Sequence, residues 1–150
     1  MAQRISRVKR TVPGTRLGQP GDVSTVLRVL YLVFDEGYSG DVDLAAEAIR
    51  LTRQSAASVD HPDLTGLLAL MLLHHARRAA RIDGSGQLVT LAEQDRSQWG
   101  TSLIAAGVDV LQAALARDRL GEYHAQAAIA ALPADAPTAG ETDRVQIVEW

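Results

Sequence analysis

The sequence predicts an all-α protein, built as a helical bundle or short solenoid of antiparallel helix pairs. Apolar residues recur at steps of three and four, and no segment alternates for long with period two. Gly, Pro and Asp punctuate the chain at intervals suited to helices joined by short turns. The 150 residues, 47% of them hydrophobic, are enough to bury a core without disulfides or structural zinc.

Residues 2–10 are polar and basic, and Ile5 and Val8, three apart, form the narrow apolar seam of a short helix. In TVPGTRLGQPGD, Pro13, Gly14, Gly18, Pro20 and Gly21 crowd together, so residues 11–22 read as a linker. Asp22 or Ser24 caps the next helix. Val26, Leu27, Val29, Leu30, Leu32, Val33 and Phe34 make it apolar almost all round, which predicts a buried helix ending near Gly37. Asp41 or Asp43 caps a third, with Leu44, Ala48, Leu51 and Ser55 inward and Glu47, Arg50 and Arg53 outward.

Asp60 followed by Pro62 opens a fourth helix, predicted to reach about Arg81. Its centre, Leu67 to Leu73, is apolar without a break, and Arg77, Arg78 and Arg81 suit the negative end of its dipole. Asp83-Gly84-Ser85-Gly86 reads as a turn and Leu88 to Leu91 as a short extended piece. Asp95 opens what is predicted as the longest helix, with Trp99, Leu103, Ala106, Val110 and Ala113 as its seam. Gly121 stops or kinks it, Tyr123 to Leu132 form a sixth helix before Pro133, and a seventh starts near Thr142. The expected core holds Leu30, Phe34, Ile49, Leu68, Leu72, Leu103, Val110 and Ile129.

Charge divides the chain. Residues 1–16 carry Arg4, Arg7, Lys9, Arg10 and Arg16 and no acid, whereas the remainder sets ten basic side chains against eighteen acidic ones. An anionic partner is therefore expected to meet the arm, and the body to repel nucleic acid and anionic membrane. The longest near-apolar stretch, Leu64 to Leu73, is about half of the ~20 residues a membrane helix needs. The basic N-terminus lacks the apolar run of a signal peptide, so a cytoplasmic protein without membrane contact is expected.

Catalytic signals are weak. The absence of Cys removes thiolate chemistry. His74 and His75 are adjacent, so on a helix they diverge by about 100° and share no metal; one is expected to pack and the other to be solvated. There is no G-x-S-x-G, no P-loop and no G-x-G-x-x-G. No enzyme activity, cofactor or metal is expected. In EQDRSQW, Glu93, Asp95 and Arg96 gather before Trp99, where Asp95 reads as a cap and Arg96 as an ion-pair donor.

The opening MAQRISRVKR resembles the C-terminal half of the recognition helix in region four of extracytoplasmic-function RNA polymerase sigma factors, where A-Q-R-I-S-R-x-K-R follows a helix-turn-helix. The segments RVLYLVFDEGYSG, DLAAEAIRL, GLLALMLLHHARRAARIDGSGQLVTLAEQDRSQW and GEYHAQAAIAALPADA resemble, in order, the C-terminal extension of the branch that carries a tetratricopeptide-like helical tail. Asp35 stands where that family usually has Asn, and the linker is shorter and richer in Gly. The resemblance implies three parts: residues 1–10 as a remnant of the recognition helix, 11–22 as linker, and 23–150 as the extension, truncated at its end. It implies a regulatory and protein-interaction role in transcription initiation, with RNA polymerase, promoter DNA and a small DGPF-domain protein as partners. Region two and the bracing helix of region four do not precede Met1, so the chain is expected to be a fragment or an internal start.

Gln3, Arg4, Ser6, Arg7, Lys9 and Arg10 are the candidate DNA contacts, mainly to phosphates, because the bracing helix that fixes base readout is missing. A competing expectation is a small-molecule-sensing helical domain. Tyr31, Glu36, Tyr38, Asp95, Arg96 and Trp99 then supply the candidate interaction or ligand site.

Overall fold

A computed structural model describes residues 21–37 and 43–135. The predicted first and seventh helices lie outside the described residues. Five helices are present among those described: α1 (Val23–Glu36), α2 (Leu44–Ser58), α3 (Pro62–Ala76), α4 (Thr101–Leu115) and α5 (Glu122–Asp135). Two 3₁₀ turns, Arg78–Ala80 and Arg96–Gln98, punctuate the connection between α3 and α4. The one β feature among the described residues is an isolated antiparallel bridge between Ile82 and Leu88. The protein is an all-α bundle.

The helices start where side-chain oxygens can take up their free N–H groups. Asp22 accepts from the Ser24 amide at 3.3 Å, and Asp43 accepts from the Ala46 amide at 3.1 Å. The Asp22 carboxyl pKa is lowered by the Ser24 hydroxyl first and then by its amide, and that of Asp43 is lowered first by the Ala46 amide. At α3 the cap is His61 rather than Asp60. The His61 ring accepts from the Asp63 amide, while Asp60 pairs with Arg119 beyond the end of α4.

Packing centres on α3, which is buried on every side from Gly66 to Leu73. Consecutive helices run antiparallel. The start of α4 sits against the end of α3, where the Gly100 amide donates to the Ala76 carbonyl at 2.8 Å. The start of α5 returns to the start of α3, where His124 meets Thr65. Leu27, Leu30 and Phe34 from α1, Ala45, Ala48 and Ile49 from α2, and Leu64, Leu68, Met71 and Leu72 from α3 form one apolar cluster. Full burial of a Leu or Phe side chain contributes roughly 1.5–3 kcal/mol. On the other side of α3, Ala69, Leu70 and Leu73 pack with Ala127, Ile104 and Val108.

Several expectations are corrected. Helix α1 is not buried all round, because Val26, Val29 and Leu32 point outward and Leu32 is 59% exposed. Helix α3 ends at Ala76 instead of Arg81. The Ala76 carbonyl bonds Gly100, and the chain tightens into i→i+3 bonds from Ala80 to Arg77 and from Arg81 to Arg78. Helix α4 begins at Thr101, not Asp95, and at 15 residues it is no longer than α2 or α3. Trp99 is therefore off the helix, and Gly107 and Ala114 are its buried residues. Of the expected core, Leu30, Phe34, Ile49, Leu68 and Leu72 are buried, whereas Leu103, Val110 and Ile129 are only partly so. Helix α5 runs through Pro133, which sits in its last turn.

Candidate functional site

Gln3, Arg4, Ser6, Arg7, Lys9, Arg10 and Tyr38 lie outside the described residues. The other candidates are not gathered in one place. Tyr31 is exposed on α1 and its ring lies 6.4 Å from that of Tyr123, beside the start of α3, while Glu36 is exposed at the end of α1. Asp95, Arg96 and Trp99 gather at the opposite end of α3, whose 15 residues span about 22 Å.

The Trp99 end is built from local capping and two tertiary bonds. Asp95 accepts from the Ser97 amide at 3.0 Å, from the Ser97 hydroxyl at 2.7 Å and from Gln98 at 3.1 Å. These bonds hold its carboxyl below the usual range, the Ser97 hydroxyl first. The cap stabilises only a 3₁₀ turn, after which Trp99 leaves with extended backbone. Trp99 is 6% exposed, with the Arg96 guanidinium 4.8 Å and that of Arg77 5.9 Å from its ring centroid. Arg96 also donates to the Pro133 carbonyl. The indole therefore joins the ends of α3 and α5, and its cation–π contacts form where water is largely excluded. Among the described residues its Nε1 finds no acceptor.

Beyond α3 the chain is ordered by its own polar groups. Asp83 accepts from the Ser85 amide at 2.8 Å, the Ser85 hydroxyl at 2.7 Å and the Gln87 amide at 2.9 Å. Gly86, with φ of 83°, closes this turn in a conformation that L side chains resist. The Val89 amide donates to Arg81 at 2.8 Å, which sets Leu88 opposite Ile82. A concave region of about 560 Å³ opens between this loop, the end of α3 and the start of α4. A second, of about 290 Å³, lies on the other side of Arg81 and Leu88, which line both.

The neighbouring imidazoles are affected by this setting. His74 is pushed down to about 4, by burial first and then by the charges of Arg77 and Arg81. His75 is lowered by burial as well, and its buried Nδ1 has no partner among the described residues. Both rings are half-buried, so the expectation that one would be solvated is corrected. Among the described residues, no three His, Asp or Glu side chains come together as metal ligands. No helix there is long and apolar enough to cross a membrane.

One polar site was not visible in the sequence. His124 is 1% exposed; its Nε2 lies 3.1 Å from the Thr65 hydroxyl and its Nδ1 accepts from the Gly121 amide at 3.1 Å. The Thr65 hydroxyl in turn donates to the Pro62 carbonyl at 2.7 Å. These partners require a neutral ring with its proton on Nε2. Burial lowers the pKa accordingly, although Asp63 opposes the shift. The network docks α5 on α3, and the 59-residue separation of Thr65 from His124 hid it.

Residues 22–115 match the model of a family described as "Family of unknown function (DUF6596)", which takes in α1 to α4 and the whole Trp99 loop. The chain is also similar to the uncharacterized protein R00370 of Rhizobium meliloti (strain 1021), at 39% identity over 163 residues. That alignment covers 98% of this chain and 38% of the relative, so the chain spans well under half of the relative's length. No solved structure matches the chain.

Proposed function

The chain belongs to the family of unknown function DUF6596, and from that premise we propose that it is a regulatory and protein-interaction segment of an extracytoplasmic-function sigma factor. In this reading it is non-enzymatic and works in the cytoplasm, with RNA polymerase, promoter DNA and a small DGPF-domain protein as partners. The observation that carries the reading is the junction of two unlike parts. An acid-free basic arm, which resembles the end of a promoter-recognition helix, precedes an acidic helical body. The arm suits phosphate contact, and the body suits contact with protein. The exposed Val26, Val29 and Leu32 on α1 favour this role, because apolar side chains grouped on one helix face suit a protein surface better than water.

Run-off transcription by core RNA polymerase with the longer Rhizobium meliloti relative tests the proposal. The expected result is promoter-dependent transcript from the intact relative and an altered yield when the segment matching this chain is deleted. No transcript from the intact protein, or equal yield with and without the segment, overturns it.

A second reading, a small-molecule sensor, is favoured by the concave region of about 560 Å³ beside the Trp99 loop. Its size falls within the roughly 300–1,000 Å³ of ligand pockets.

A further inference from the structure

The connection from Arg81 to Gly100 is long for a compact domain, and such a segment is usually functional when it is ordered. It is ordered by the Asp83 turn and the Val89 to Arg81 bond within it, and by the Gly100 to Ala76 bond that ties it to α3. Yet this organisation displays apolar side chains to solvent. Leu88 is 78% exposed and Ile82, its partner across the bridge, 50%. A loop that spends its hydrogen bonds on holding two large apolar residues in water is better explained by something they cover.

The cleft next to them has two kinds of wall. Ala79, Ile82, Leu88 and Leu103 supply the apolar one. Arg78 and Arg81 supply the charged one, and among the described residues no acid lines the space. Asp43 holds one nitrogen of Arg78 at 2.9 Å and so fixes the guanidinium at the rim. On the far side of Arg81 and Leu88, the smaller concavity repeats the pattern, with Arg77 beside Val89 and Leu91.

We propose that this cleft binds a small amphipathic carboxylate, with its apolar body against Ile82, Leu88 and Leu103 and its anionic head at Arg78 and Arg81. A carboxylate adds a contact with the guanidinium rim that a neutral apolar ligand does not make, and a cationic ligand is repelled by it. A planar carboxylate matches the fork of a guanidinium, which gives the head group a direction as well as a charge. The proposal deepens the sensing reading and rests on it only for the purpose of binding, since the binding itself is measured without transcription.

The test is titration of the ¹⁵N-labelled chain with decanoate, 1-decanol and decyltrimethylammonium below their micelle or solubility limits. Decanoate is expected to give saturable amide shifts within residues 76–82, 86–91 and 98–103, with a Kd below about 1 mM. Decanol is expected to bind about tenfold or more weakly, and the ammonium not at all. Leu88→Glu alters a side chain that faces solvent, so the fold should survive, as checked by circular dichroism, while decanoate affinity falls about tenfold or more. Arg81→Gln is expected to bring decanoate down toward decanol and leave decanol unchanged. No saturable shifts, equal affinity for decanoate and decanol, or undiminished binding by folded Leu88→Glu each overturns the proposal. Decanoate binding by a chain whose longer relative fails the transcription test overturns the regulatory reading and leaves the site standing.

Discussion

Gly66 lies inside α3, the position where Ala is ordinarily the better residue by about 1 kcal/mol. The structure reverses the sign. A Cβ built at Gly66 would stand 2.8 Å from the His124 backbone nitrogen, 2.9 Å from its Nδ1 and 3.0 Å from the Tyr123 carbonyl carbon. Two of these atoms belong to the backbone, so rotation of a side chain gives no relief and α5 must move away from α3. Overpacking of this kind costs about 1–3 kcal/mol, and the displacement also stretches the His124 bond to Thr65, worth roughly a further 1 kcal/mol. Against the propensity gain, Gly66→Ala is expected to destabilise the chain by about 1–3 kcal/mol. For a domain of this size that lowers Tm by about 2–12 °C. Gly84→Ala is the control: its Cβ meets nothing within 4 Å and its φ is not in the left-handed region, so stability should hold or rise slightly. Urea unfolding followed by circular dichroism measures both, and hydrogen exchange should show α5 loosened in Gly66→Ala before α1 and α2. A Gly66→Ala variant as stable as the parent would refute the close approach of α3 and α5.

Trp99→Ala removes the indole that holds Arg77 and Arg96, so amides of the 81–100 loop should lose hydrogen-exchange protection more than those of α3; equal loss would make Trp99 part of the global core. His74, His75 and His124 all have folded pKa values below 6.5, so the unfolded chain binds more protons on the acid side of that value. Their contribution is therefore complete above about pH 6.5 and is lost as pH falls toward about 4, where His74 titrates in the folded state. The His74 share is at most about 3 kcal/mol, and urea midpoints that stay flat between pH 7 and 5 would contradict the burial of all three rings. For DNA, the arm offers five cationic contacts, so log K against log salt should fall no more steeply than about −4.5. Promoter-like and scrambled duplexes should differ by less than about tenfold, and greater discrimination would mean that residues 1–10 dock with defined geometry.

The fold was legible where a local signal set the structure. Asp22 and Asp43 announce their helices through caps that use only neighbouring residues, and Pro62 marks the first turn of α3 in the same way. The unbroken apolar run of α3 was also readable, since a helix without a polar face has only the centre of a bundle to occupy. That inference failed on α1, whose composition is nearly as apolar, because two helices with similar sequences compete for one centre. The longer apolar run of α3 took it, and α1 was left with Leu27, Leu30 and Phe34 inside and Val26, Val29 and Leu32 outside.

Trp99 shows a different limit. Its spacing from Leu103 and Ala106 fits a helical seam, and its burial agrees with that reading, yet the residue is extended. The periodicity is accidental because the chain has another use for the backbone there. Asp95 takes up the donors of a short 3₁₀ turn, and the Gly100 amide serves the carbonyl of Ala76 instead of continuing a helix. That single bond both ends α3 and delays α4, two boundaries misplaced for one physical reason. It also releases the segment from Arg77 to Trp99 from helical geometry, which lets Arg77 and Arg96 flank one indole and brings Leu88 opposite Ile82. Capping chemistry in the EQDRSQW segment was readable from adjacent residues, whereas the cleft depends on a bond between residues 24 positions apart. The candidate site thus lies where tertiary hydrogen bonding overrides local helix preference, and residue spacing alone carries no signal for such a site.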